Sequence, residues 1–546
     1  MVKTWLDRRT AITDHFVKDP LFTLLEDTDC NVLITGAAGT GKSTVLRQFI
    51  ENTKKTCVVL APTGIAATNV AGQTIHSFFQ LPPGIIRAED INKSRFAPLY
   101  ERMDALVIDE ISMVRRDLFD AMDQVLRKHR DENQPFGGVQ VVLFGDMYQL
   151  PPIVTDEDKA ILYQKYENYS NYFFDSKAYK DLDLMIVRLS HVYRQRDSQF
   201  LEILTRMQKN ALTSEDIAIL NEQVRSDDNQ DHVILSTKND IVDEYNLRHL
   251  DALPGTKTTY AANTVGDVKI KDSPALEELR LKTDARVIFL VNDSKGRYYN
   301  GSLGTVTGLS KDKVDVKLDC NDELISLSRY DWNIYRYKFE KENKTIVKES
   351  KGSISQIPLK LAWAMTVHKS QGQTLEKALI DLKYRPWEHG QTYVAFSRLR
   401  SLSGLKLRTP LKKEDVIVDL RVVDWENCLI NEHTACNNRT EFPVPGLSHE
   451  NSDKVISKLR QEFLSSFGIN ISIEHTPQST YLILGAQPIA DFIHQRAICL
   501  LRELCNYGCE RIPAGTSDKK GKRTNYQQEY LRLVSELEPS KKLKFD

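Results

Sequence analysis

Apolar residues along this chain gather in short runs of strand length, separated by amphipathic stretches. Asn31 to Thr35 (NVLIT), Cys57 to Ala61 (CVVLA), Ala105 to Asp109 (ALVID) and Val139 to Phe144 (VQVVLF) are nearly unbroken in apolar character. Such runs predict strands covered on both faces, as in a parallel sheet flanked by helices. Between them, Ser43 to Asn52 (STVLRQFIEN) and residues 114–130 read as helices. Residues 1–30 also read as helical and lead into the first strand. Val233 to Ser236 (VILS) and Ala285 to Leu290 (ARVIFL) predict strands of a second α/β unit. The strand Ala378 to Leu382 and a helix over His389 to Leu399 follow. Between 301 and 354 the period falls to two, in Gly304 to Gly308, Val314 to Leu318 and Glu323 to Leu327, which predicts a small all-β insert. Residues 80–104 are polar and broken by prolines, and read as an excursion from the first unit. Residues 431–453 read as a linker. Beyond it, helix Lys454 to Phe467, strands Ile469 to Glu474 and Thr480 to Leu484, and helix Pro488 to Tyr507 predict an α+β module.

Composition narrows the class without naming a chemistry. The 546 residues carry a formal net charge of −1, so an anionic partner must be held by local basic patches. Eight scattered cysteines do not form a disulfide framework, which points to a reducing, intracellular setting. No apolar run approaches the ~20 residues of a membrane span. The N-terminus mixes Asp with Arg, lacks an apolar core and does not read as a signal peptide.

The chemistry centres on Gly36-Ala37-Ala38-Gly39-Thr40-Gly41-Lys42-Ser43-Thr44, which fits G-x-x-x-x-G-K-[ST]. A strand precedes it and a helix follows, as a phosphate-binding loop requires. Glycines let backbone N–H groups close around phosphates, and the helix start adds positive dipole. Lys42 would reach the β- and γ-phosphates of ATP, and the Ser43 hydroxyl would hold Mg²⁺. Asp109 and Glu110 end another predicted strand: the first suits Mg²⁺ and the second can polarise an attacking water. Gln149 leaves the C-terminal edge of a strand, where an amide either senses a γ-phosphate or caps the backbone. Arg194 and Arg398 are candidate arginine fingers, which neutralise charge on a transferring phosphoryl group.

In order along the chain, these motifs resemble the Pif1-like branch of superfamily 1 helicases. The resemblance covers roughly residues 25–410. It rests on GAAGTGKST at 36–44, APTGIAATNVAGQTIHSFF at 61–79, LVIDEISMV at 106–114 and PFGGVQVVLFGDMYQLPP at 135–152. VYRQ at 192–195, LAWAMTVHKSQGQTL at 361–375 and YVAFSRLRSLSGL at 393–405 complete it. The resemblance implies an ATP- and Mg²⁺-dependent helicase that moves 5′ to 3′ on single-stranded DNA and opens tailed or forked duplexes. An ATP-driven translocase and an ATP-gated DNA-binding adaptor are the alternatives. It implies Gln149 as γ-phosphate sensor and Arg194 and Arg398 as fingers. Thr63, Gly64, His76, Thr366, His368 and Lys369 fall in its DNA-contacting segments. Phe78, Phe79 and Trp363 either stack on bases or, for at least two of the three, pack in the core.

The implied fold is α/β: two RecA-like P-loop domains, a small SH3-like β insert and an α+β C-terminal extension. Residues 1–184 would form the first domain, with a wedge at about 80–104. Residues 185–300 and 355–424 would form the second, interrupted by the insert at 301–354. Residues 425–453 would be a linker. The module at 454–546, with a basic tail, is expected to meet a protein partner or more nucleic acid. It lacks the G-x-x-G clamp of a KH-like module. Free chains are expected to be monomeric, with no membrane partner, in cytoplasm, nucleoid or nucleus. Residues 1–35 contain no glutamine, so the upstream adenine-reading glutamine of the family is missing.

Overall fold

The computed structural model describes residues 3–8, 19–82, 84–91, 97–166, 170–195, 197–225, 232–340, 342–343, 345–383, 385–435, 440–443, 472–475 and 480–484. The first unit is a seven-stranded, wholly parallel sheet. Its strands are β1 (Lys3–Arg8), β2 (Asn31–Gly36), β3 (Cys57–Ala61), β4 (Gln73–Thr74), β5 (Ala105–Ile108), β6 (Gln140–Gly145) and β7 (Leu184–Leu189). Their spatial order is β1-β7-β2-β6-β5-β3-β4. Val32, Leu33 and Ile34 of β2 and Val141, Val142, Leu143 and Phe144 of β6 have no exposed surface, as continuous apolar runs demand. The order brings the C-terminal ends of β2, β6 and β5 side by side, where open α/β sheets bind ligands.

The first thirty residues depart from the helical expectation. Lys3–Arg8 is a strand added to the sheet edge beside β7. Among the described residues of this stretch the helix is Pro20–Asp27; Asp19 caps it through the Leu21 N–H at 2.9 Å and Pro20 presets its first turn. The excursion after residue 80 holds a short turn at Ala88–Asp90 and a helix at Ala97–Arg102. It is tied to the helix Arg116–His129: Asp117 accepts the Ile86 N–H at 2.9 Å, and Lys128 donates to the Ile91 carbonyl at 2.9 Å.

A second parallel sheet has the order Ala364–Thr366, Val233–Ser236, Ala378–Ile380, Leu405–Leu407. Ala285 to Leu290 does not join it, contrary to expectation. Arg286–Phe289 instead lies antiparallel between Leu303–Leu309 and Leu359–Leu361, in a five-stranded sheet completed by Lys313–Leu318 and Leu324–Ser328. A four-residue apolar run signals burial but not the sheet that buries it. Val314, Val316, Leu318, Ile325 and Leu327 alternate inward and build a separate core with Val287 and Phe289. Residues expected in one insert are thus split between two sheets. The long hairpin Tyr330–Glu340 and Thr345–Gln356 pairs with Asn263–Gly266. It leans on the first unit, where the Tyr337 hydroxyl accepts the Val59 N–H at 2.9 Å.

The helix Leu420–Ala435 runs through the start of the expected linker. It returns to the first unit: Trp425 stacks on Phe174 with ring centroids 5.0 Å apart, and the Glu426 carboxylate accepts the Tyr148 hydroxyl at 2.6 Å. These aromatic contacts explain why the polar segment stays helical. Thr440–Pro443 pairs with Thr480–Leu484, which pairs with Ser472–His475. The expected helices at 454–467 and 488–507 and the basic tail lie outside the described residues.

Candidate nucleotide site and nucleic-acid interface

The phosphate-binding loop is built by β2 and the helix Lys42–Asn52 that follows it. Gly41 caps the helix with φ +87°, and Gly39 has φ +84° with the space of a Cβ filled by Arg194 at 2.5 Å. Both positions require glycine. The Lys42 ammonium donates to the carbonyls of Gly36 at 2.7 Å and Ala37 at 3.0 Å. Burial lowers its pKa, against the pull of Asp146, Glu110 and Asp109. Ser43, Asp109 and Glu110 line one cleft of about 1420 Å³ between the first unit and the β insert.

Asp109 and Glu110 follow β5, and Glu110 adopts a left-handed turn with φ +50°. A non-glycine residue there is held by its surroundings, not by local preference. Burial raises both carboxyl groups above their ordinary range, each partly countered by Lys42. Glu110 is raised further by Asp109 and stabilised by Arg398. Gln371, from the second unit, donates to both the Glu110 carboxylate and the Gln149 side-chain oxygen at 3.3 Å. Gln149 in turn donates to Asp146 at 3.0 Å. Glu110 and Gln149 are therefore joined by one amide across the two α/β units.

Both arginines reach the same place. Arg194 donates to the Ser397 carbonyl at 3.0 Å, and burial beside Arg398 pushes its pKa down to about 9. Arg398, 1% exposed, is held by the Val394 carbonyl and the Ser397 hydroxyl, each at 2.9 Å. Tyr393 closes the arrangement. Its hydroxyl accepts the Ala38 N–H at 3.1 Å and the Gln208 amide at 2.7 Å, and lies 3.4 Å from Asp146. Gln371, Asp146 and Tyr393 were not singled out from sequence. Each lies inside a motif run, but nothing local marks an amide or phenol that acts across a domain boundary.

The six expected DNA-contacting residues fall into two groups, one on each α/β unit. Thr63 is exposed and caps the helix Gly64–Asn69 by accepting the Ala66 N–H at 3.2 Å. Gly64 abuts Asp272, so that a Cβ would stand 2.8 Å from its Cα. His76 is half-buried, its pKa lowered by burial and by Arg115. On the second unit Thr366 is buried, and its hydroxyl accepts the Lys369 N–H at 3.4 Å. His368 is half-buried and Lys369 exposed. Phe78, Phe79 and Trp363 are all buried. Phe78 and Phe79 pack edge to face at 4.9 Å and pile against Tyr100, so the core reading holds for all three.

A phosphate-binding loop on one parallel sheet, faced by Arg194 from just beyond β7 and by Arg398 from the unit of the second sheet, defines a two-domain P-loop nucleoside triphosphatase. Residues 21–216 match the family model of PIF1-like helicases. The ATP-dependent DNA helicase Pif1 of Psychrobacter sp. is 34% identical over 439 residues, covering 69% of this chain and 65% of its own length, just under two thirds. That of Bdellovibrio bacteriovorus is 32% identical, covering 72% of this chain and 88% of its own. The crystal structure of Bacteroides sp. Pif1 in complex with ADP-AlF4 superposes with a TM-score of 0.71 at 36% identity, covering 78% of this chain and 98% of that one. The same Pif1 bound to single-stranded DNA gives 0.54, covering 77% and 98%. The chain belongs to the PIF1-like family, the ATP-dependent DNA helicases of Pif1 type. Among the described residues no helix is long and apolar enough to cross a membrane.

Proposed function

We propose that this chain hydrolyses ATP with Mg²⁺ to move 5′ to 3′ along single-stranded DNA and separate the duplex ahead of it, in replication, repair or recombination. The observation that carries this reading is the amide bridge from Gln371 to Glu110 and Gln149 beside the buried Arg398 and the half-buried Arg194. Lys42 binds the β- and γ-phosphates, and the loop amides of residues 36–44 cradle the chain of phosphates. A serine hydroxyl and a carboxylate are a fitting donor set for Mg²⁺, supplied by Ser43 and Asp109 on the wall of one cleft. The ion would screen phosphate charge. Glu110 takes the proton of the attacking water, and Gln149 reports the γ-phosphate to Gln371. Arg194 and Arg398 offset charge on the transferring group.

Coupling to DNA follows from placement. Thr63, Gly64 and His76 ride on the first α/β unit, and Thr366, His368 and Lys369 on the second. Closing and reopening the cleft would therefore change the spacing of two grips on one strand. Hydroxyls, amides and a lysine follow phosphates without reading sequence. Such an enzyme would act wherever the cell keeps its DNA, nucleoid or nucleus.

The test is strand separation on duplexes with either a 5′ or a 3′ single-stranded tail, beside Lys42→Ala, with ATP turnover followed in the same reactions. Unwinding from the 5′ tail alone, lost in the variant, is expected. Unwinding from the 3′ tail contradicts the polarity. DNA-stimulated turnover without unwinding makes the chain a translocase, and binding without turnover makes it an adaptor.

A further inference from the structure

Phe78, Phe79 and Trp363, the aromatics that the motifs offered for base stacking, are in the core. Among the described residues, an exposed aromatic lies beside His368. Trp387 is 61% exposed and lies in the loop before the helix Gln391–Ser397. Its indole stacks on the His368 imidazole, with centroids 6.5 Å apart and planes 22° apart. A lone exposed apolar residue is unremarkable by itself. What distinguishes Trp387 is that its backbone is pinned while its ring stays open. Its N–H donates to the side-chain oxygen of Gln391, a buried residue, at 3.2 Å. Two residues on, His389 is also buried. One ring nitrogen lies 2.9 Å from the Met147 carbonyl, and the other accepts the Asp419 N–H at 2.8 Å. The loop is thus fastened at Trp387 itself and on its C-terminal side.

The surroundings suit a nucleobase. Burial lowers the pKa of His368, so at neutral pH the pair is an uncharged aromatic surface. Lys369, the next residue, is exposed and within electrostatic reach of Lys360. An apolar ring face beside lysines is the combination that takes a base and its phosphate together, whatever the base. We propose that Trp387, backed by His368, is a stacking platform for one base of the translocated strand, while Lys369 takes the adjoining phosphate. The platform rests on the helicase reading above. The same loop, at Gly390, abuts the carbonyls of Tyr148 and Gln149: a Cβ there would stand 2.6 and 2.7 Å away. A base held on Trp387 is therefore linked through one short loop to the residue that senses the γ-phosphate.

The test uses the full chain and short oligothymidylates, intact or carrying a single abasic site moved along the strand. Affinity is read by fluorescence anisotropy for wild type, Trp387→Ala and Trp387→Phe. Trp387→Ala is expected to bind the intact strand about tenfold more weakly, and Trp387→Phe to restore most of that loss. One abasic position is expected to weaken wild type about tenfold and to leave Trp387→Ala unaffected. Wild-type affinity in Trp387→Ala, or equal sensitivity of both proteins at every abasic position, overturns the platform alone. A raised KM for ATP without DNA, at unchanged oligonucleotide affinity, also overturns it, by assigning the stacked base to the nucleotide. A wild type that binds no oligothymidylate defeats the helicase reading, and the platform with it.

Discussion

Glu110 shows how far a single residue depends on its surroundings. Its carboxyl is raised by burial and by Asp109, so it keeps its proton to a higher pH than an ordinary glutamate, whose pKa is about 4.3. The base works only when deprotonated. It follows that kcat/KM for ATP climbs with pH, with an acid limb well above that value and a plateau beyond it. A profile already flat at about pH 5 would remove Glu110 as the base. Glu110→Gln should lower turnover about 100-fold or more and retain nucleotide binding, measured by filter binding. Arg398 is held on its own helix by Val394 and Ser397, poised beside Glu110. Arg398→Ala should cut turnover about 1,000-fold or more with ATP affinity preserved. Turnover near wild type would exclude it from the catalytic set. Lys42, Asp109 and Glu110 could be picked out by type and spacing. Gln371 could not, because its role exists only where two units meet.

Among the elements, the helix Leu420–Ala435 carries the clearest consequence. Trp425 lies parallel to Phe174 within 16° and donates its indole N–H to the Tyr179 hydroxyl at 2.8 Å. With Glu426 on Tyr148, the helix straps the end of the second α/β unit to the first. Trp425→Ala should destabilise the protein by about 3 kcal/mol, read as a lower urea midpoint. An unchanged midpoint would mean the strap contributes nothing. The strap escaped sequence reasoning because its helix carries acidic and amide residues among its apolar ones, and its apolar face has no meaning until Phe174 and Tyr179 are seen beneath it. Lys3–Arg8 was misread for a related reason. Six residues are too few for a period to declare itself, and parallel pairing with β7 decides their state.

For the whole molecule, the cleft of about 1420 Å³ brings Ser43, Asp109 and Glu110 of the first unit against Gly372 and Arg400 of the second and Arg286 of the β insert. If Ser43 and Asp109 hold Mg²⁺ as proposed, chelation with EDTA should abolish ATP turnover and spare nucleotide-free binding to single-stranded DNA. Loss of both would mean that the metal is needed for DNA binding as well as hydrolysis. DNA affinity should fall steeply with salt, because a chain of net charge −1 would hold phosphates through local cations such as the proposed contact Lys369.

The sequence by itself determined the α/β class, the phosphate-binding loop, the acidic pair and the order of motifs along the chain. These are local properties: a continuous apolar run makes a buried strand, and glycines at fixed spacing shape a turn around phosphates. Tertiary structure decided which sheet Arg286–Phe289 joins, that Phe78, Phe79 and Trp363 are buried while Trp387 stays open, and how Gln371 spans Glu110 and Gln149. Those outcomes depend on residues hundreds of positions apart, as with Tyr393 on the Ala38 amide, and on burial that sets both packing and proton affinity. Local pattern carries no record of such partners, because their energies arise only when the two units are brought together.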